Sequence, residues 1–182
     1  MTGPTDARPP EDYRLLVPRD WFRIDLTLER WRPQLKTFVD RQTAGRPVSA
    51  EARRELWTTL RNTAESGVAR GALELFLRAE AGSAMPATLL VSLLPMRGAL
   101  NTPPKEFAAA LATRRGDNAD ITVVPLPASD TVRVTTATTL DLYVHMPADS
   151  GYLLLAFTAP LTGIAGPMGE LCAAIGGSLR WV

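Results

Sequence analysis

The residue best suited to chemistry is His145, the single histidine of the chain. It alternates with Tyr143 and Asp141, opposite Leu140, Leu142, Val144 and Met146, so in a strand the three polar side chains share one face. An imidazole oriented by a carboxylate is the usual general base. Four strand residues nevertheless separate Asp141 from His145 by roughly 13 Å, beyond a direct hydrogen bond. Cys172, the only cysteine, sits on an apolar stripe with Met168, Ile175 and Leu179, a setting that predicts a buried, inert thiol. Gly163, Gly166 and Gly169 follow a strand and open a helix, as a phosphate-binding loop would. Their spacing is G-x-x-G-x-x-G, Pro167 removes one backbone donor, and no strand-helix-strand unit follows, so a glycine-rich turn and cap fits better.

Other signatures are missing from the sequence. There is no G-x-x-x-x-G-K-[ST], H-E-x-x-H or G-x-S-x-G motif. The carboxylate pairs Glu11-Asp12 and Asp117/Asp120 lie in an arm and around a turn, and neither reads as a catalytic dyad. One cysteine and one histidine are too few soft ligands for a structural zinc site. The expectation is a chain with no catalytic, cofactor-binding or metal-binding residues.

The elements that carry these residues can be read from hydrophobic period and turn chemistry. The chain has 182 residues, 46% of them hydrophobic and 21% charged, which suits one globular domain with a real core. The net charge of +1 supplies no global field toward nucleic acid or an anionic membrane. Residues 1–12 are polar and proline-rich, without the apolar stretch of a secretory signal, and read as a flexible arm. With a lone thiol, that implies a cytoplasmic protein. Tyr152–Gly169 is an 18-residue run free of charge, but Pro160 and Pro167 break it, and a strand followed by a loop explains it better than a membrane span.

Tyr13–Val17 and Trp21–Leu26, split by Pro18-Arg19-Asp20, read as a strand pair. A two-helix insertion over 28–70 follows. Its first helix carries Leu28, Trp31, Leu35, Phe38, Val39 and Gln42 on one face, with Thr27 as N-cap. Its second repeats Ala52, Leu56, Leu60, Ala64 and Val68, with Trp57 widening the stripe and Ser49 as cap. Ala72–Glu80 and Ala87–Leu94 form a hairpin through a turn at Gly82-Ser83, the second strand covered on both faces. A helix opens at Thr102-Pro103. Ile121–Pro125, Val132–Thr136, Leu140–Met146 and Tyr152–Thr158 are strands, with turns near Ala137–Thr139 and at Asp149-Ser150-Gly151. A last helix opens at Pro167. Residues 13–182 thus form one α+β domain, a mainly antiparallel sheet of six to seven strands flanked by helices.

Two segments carry a resemblance. Tyr13, Leu15, Pro18, Trp21 and Ile24 in DYRLLVPRDWFRIDL, and Pro147, Leu155, Phe157, Pro160, Leu179, Arg180 and Trp181 toward the end, are similar to motifs of a group of small uncharacterised bacterial proteins. Bacterial origin also agrees with 18 arginines against two lysines and with abundant Ala and Pro. The element order resembles the PsbP-like fold, whose members include photosystem subunits, a Ran-binding import factor, small lipoproteins and chaperones for secreted effectors. The resemblance implies a non-catalytic binding module, adaptor or chaperone-like, with a secretion-linked role among its readings. The chain departs from the lipoprotein members in lacking a signal and a lipidation cysteine near its start.

A partner surface is expected first in the 28–70 insertion. Seven arginines from Arg30 to Arg61 cluster there, interleaved with Glu29, Asp40, Glu51, Glu55 and Glu65, which makes a solvated, ion-paired surface their default. Trp31 with Arg53 and Arg54 is the combination typical of interface hot spots. Core packing competes for both tryptophans, more firmly for Trp57 than for Trp31. The expected partner is another protein, not nucleic acid and not a membrane. A small-molecule-binding protein or an enzyme with an unrecognised pocket is the alternative, and a self-associating subunit is a third reading.

Overall fold

The computed structural model describes residues 10–80, 85–95 and 102–182. The expected arm over 1–12 therefore lies largely outside the described residues, as does the Gly82-Ser83 turn. The order of elements is β1 (Tyr13–Arg14), β2 (Phe22–Asp25), α1 (Trp31–Thr43), α2 (Ala50–Ala69), β3 (Ala72–Arg78), β4 (Ala87–Pro95), α3 (Pro104–Arg115), β5 (Asp120–Pro125), β6 (Asp130–Thr135), β7 (Thr139–His145), β8 (Gly151–Thr158), α4 (Pro167–Gly177) and β9 (Arg180–Trp181).

Seven strands form one antiparallel sheet in the order β2-β3-β4-β8-β7-β6-β5. Hairpins account for β5 through β8, because each strand is followed by a short turn and then by its own neighbour. The β6–β7 turn closes where Thr136 Oγ1 meets Thr139 Oγ1 at 2.7 Å. The β7–β8 turn needs left-handed backbone at Ala148 and Asp149 (φ 58° and 51°) and at Gly151. The sheet is joined in its middle by a non-local pair, β4 with β8, in register from Thr88↔Thr158 to Pro95↔Gly151.

Side-chain alternation then assigns the two faces. Leu89 and Val91 of β4, Leu153, Leu155 and Phe157 of β8, and Leu140, Leu142 and Val144 of β7 pack beneath Met168, Cys172 and Ile175 of α4. On the other face, Ile24, Leu75 and Leu77 meet Leu35, Phe38, Leu56 and Leu60 of α1 and α2. Farther along that same face, Val132, Val134, Tyr143 and Tyr152 gather around Phe107 of α3. The architecture is α+β, a seven-stranded antiparallel sheet flanked by helices, as expected. Among the described residues no helix is long and apolar enough to cross a membrane, and the uncharged run from Tyr152 divides into β8, a loop and α4.

Three local expectations are corrected. Tyr13–Val17 and Trp21–Leu26 do not pair with each other. β1 pairs with β9, Tyr13 opposite Trp181, while β2 pairs with β3; Pro18-Arg19-Asp20 does make a turn, closed by Trp21 N donating to the Pro18 carbonyl at 3.1 Å, but it joins strands of two different sheets. Thr27 does not cap α1: its amide and hydroxyl both donate to Asp25 Oδ1 (2.9 and 2.6 Å), and the helix starts one turn later at Trp31. Val68 is 42% exposed, and Gly67 is buried in its place. A strict four-residue repeat turns about 40° per step around a 3.6-residue helix, so its far end leaves the apolar face. Gly67 suits the contact. A Cβ there would lie 3.1 Å from Ala72 Cβ and from Leu90 Cδ2, where α2 presses on the sheet.

Candidate functional site

The helix pair places a groove on its outer side. Lys36, Val39 and Asp40 project from α1, and Ala50, Arg53, Arg54 and Trp57 from α2, around a cavity of about 500 Å³. Spacings of three and four residues put each set on one side of its helix. Ser49 sets the start of α2 by accepting from the Ala52 amide (3.1 Å). Val39 and Trp57 supply the apolar floor. Val39 is buried, whereas Trp57 is half-buried, its inner edge against the α1–α2 core and its outer edge facing the groove.

The rim is charged. Asp40 accepts from Lys36 Nζ at 2.8 Å and is also paired with Arg53. The Lys36 hydrogen bond, followed by Arg53, holds the Asp40 carboxyl below the usual carboxylate range. These groups are exposed, so water and salt screen the pairing. Arg54 has only a long contact to the Ala50 carbonyl (3.4 Å), and no carboxylate among the described residues pairs with it. The groove therefore carries excess positive charge.

Of the three residues expected at a partner surface, Arg53 and Arg54 stand on this rim. Trp31 stands in the core at 5% exposure, with the Arg32 guanidinium 4.5 Å above its ring and Glu65 paired to that guanidinium at 3.2 Å. Trp57, the other tryptophan of the helix pair, is half-buried: it packs against the α1–α2 core, as a residue widening the α2 stripe should, and also lines the groove. The signal in the sequence was its place at the border of the α2 stripe, next to two arginines.

The other candidates separate in space. His145 and Asp141 share a strand face without touching. His145 Nε2 lies 3.3 Å from Asp149 Oδ1, brought back by the left-handed turn, and its ring packs 5.1 Å from Tyr152. Asp141 pairs with Arg115 at 3.5 Å, yet burial dominates and raises its carboxyl. Burial also pushes the Tyr152 hydroxyl up to about 12, and it donates to the Thr102 carbonyl at 2.6 Å. Cys172 is buried on the inner side of α4, on the opposite face of the sheet, its thiol pushed up to about 11 by burial. No thiol–imidazole pair can form across the sheet.

The glycine-rich segment is a structural link. Ile164 N donates to the Ala137 carbonyl (3.0 Å), Gly163 N to Ala159, and Glu170 N to Gly166, so these amides tie the loop to the β6–β7 turn and cap α4. Gly163 is left-handed, and a Cβ on it would lie 2.9 Å from the Ala137 oxygen. Among the described residues no group of three or more His, Cys, Asp or Glu is placed to hold a metal ion.

No protein-family model matches the chain, and no curated protein or solved structure gives a significant match.

Proposed function

We propose that this protein is a non-catalytic binding module, adaptor- or chaperone-like, whose outer α1–α2 groove receives an acidic segment of another protein carrying one aromatic or aliphatic anchor. The observation that carries this reading is Trp57, a large apolar side chain left half-open between Arg53 and Arg54. Folding gains most from a tryptophan that is fully covered, and the same helix pair covers Trp31 in that way. An apolar anchor on Trp57 and Val39 would gain by removing that surface from water. Acidic residues beside it would meet Arg54, with which no carboxylate among the described residues pairs, and Arg53 and Lys36, which share Asp40. The PsbP-like resemblance supports a binder in general terms, and its effector-chaperone members extend the proposal to a secretion-linked role in the cytoplasm.

Selection of random displayed peptides against the wild-type protein, with counter-selection against Trp57→Ala, tests the reading. The expected result is enrichment of sequences that set an aromatic or aliphatic residue among Asp and Glu. Enrichment of basic sequences, or of peptides that bind Trp57→Ala equally well, would contradict it.

A further inference from the structure

A second cavity, of about 280 Å³, lies on the other side of the sheet, between α4 and strands β5 to β7. Leu140, Leu142, Ile164 and Ala173 form apolar walls, while Arg133, Thr135 and Asp120 bring polar groups to it. β5 and β6 pair in register here, Thr122 opposite Arg133 and Asp120 opposite Thr135, so all four project from the same face.

Arg133, in the wall of this cavity, has a buried Nε with no hydrogen-bond partner within the chain. Arg133 also has no ion pair among the described residues. A buried donor without a partner is costly, and more so on a charged group. An arginine without an ion pair in the wall of an apolar cavity is a donor for an incoming acceptor. Other buried orphans lie elsewhere in the fold: Trp21 Nε1 and Glu80 Oε2 stand at the other end of the sheet, and Gln42 and Arg61 belong to the helix pair.

We propose that this cavity binds a small monocarboxylate with an apolar body, its carboxylate on the Arg133 guanidinium and its hydrocarbon against Leu140, Leu142 and Ile164. The flat guanidinium edge matches the two oxygens of a carboxylate. Asp120 at the rim repels a second negative charge, which disfavours phosphates and dicarboxylates. The volume is below the usual ~300–1,000 Å³ of sites for drug-sized ligands, so the body must be short. The site is separate from the α1–α2 groove, and its failure would leave the protein-binding proposal untouched.

The test is a methyl-labelled NMR titration of the whole chain with hexanoate, 1-hexanol and hexylamine. Saturable shifts with hexanoate at the methyls of Leu140, Leu142 and Ile164, with hexanol binding about tenfold or more weakly and hexylamine weaker still, are expected from the loss of a charge-assisted bond. Arg133→Gln should weaken hexanoate by a similar factor while leaving hexanol unchanged. The proposal is overturned if none of the three shifts those methyls, if hexanol matches hexanoate, or if Arg133→Gln binds hexanoate as the wild type does. The comparison among ligands needs no variant, so it decides the matter even if Arg133→Gln fails to fold.

Discussion

Two helical covers lie on one sheet and use their outer sides differently. The α1–α2 pair buries an apolar stripe and turns Lys36, Arg53, Arg54 and half of Trp57 outward. Helix α4 buries Met168, Cys172, Ile175 and Gly176 and leaves Leu171 partly covered, and its outer side carries Glu170 and small residues such as Ala173 and Ala174, with no basic group. Packing accounts for nearly everything in α4. It covers Trp57 only in part. The contrast between Trp31 and Trp57 within one helix pair makes the same point, since one ring holds the fold together and the other is only partly used by it.

The strongest way to break this comparison is to truncate each ring. Trp31→Ala removes a ring buried at 5% exposure and should cost about 3–5 kcal/mol, read as a lower midpoint in urea unfolding. Trp57→Ala should cost about 1 kcal/mol and yet weaken a selected acidic peptide by tenfold or more. Equal costs for the two would erase the distinction between a core tryptophan and a docking one.

On the α4 side, Gly169→Ala tests whether tight packing governs. A Cβ there would lie 2.0 Å from the Ile164 carbonyl oxygen, a backbone atom that cannot step aside. The substitution should cost about 1–3 kcal/mol in the same unfolding measurement. An Ala variant as stable as the wild type would show that the helix sits more loosely than the contact implies.

How much of this was legible beforehand follows from the range of the interactions. The strands from β5 to β8 and the hairpin β3–β4 were readable because alternation and turn residues are local. The β1–β9 pair was not, since two-residue strands at opposite ends of the chain carry no periodic signal of their own. Val68 was misplaced, and how far Trp57 is covered was not readable, for a shared reason. A helix pattern marks the border of an apolar stripe, but the position of α1 decides which border residues are covered. The His145–Asp149 contact depends on left-handed backbone at Asp149, a residue type that tolerates it, and at Ala148, whose type does not announce it.

Two smaller effects sharpen the picture of the sheet faces. Burial raises the Asp141 carboxyl despite Arg115, so its ionised form is less favourable in the folded state than in the unfolded one. That penalty is present above the raised folded value and vanishes as pH falls below the unfolded value of about 3.9. Asp141→Asn should therefore raise the melting temperature slightly at pH 7, with the gain gone near pH 3. A gain that persists at pH 3 would assign it to another cause. On the opposite face, Cys172 should react with a thiol reagent at pH 8 only after denaturation, because burial both shields it and holds it protonated.

The most direct measurement of the central claim is a ¹H–¹⁵N titration of the wild-type chain with one acidic, anchor-bearing peptide from the selection. The account predicts shifts concentrated at Lys36, Val39, Arg53, Arg54 and the Trp57 indole, with Trp31 little changed. Shifts confined to α4, to the β1–β9 pair or to the sheet edges would contradict it.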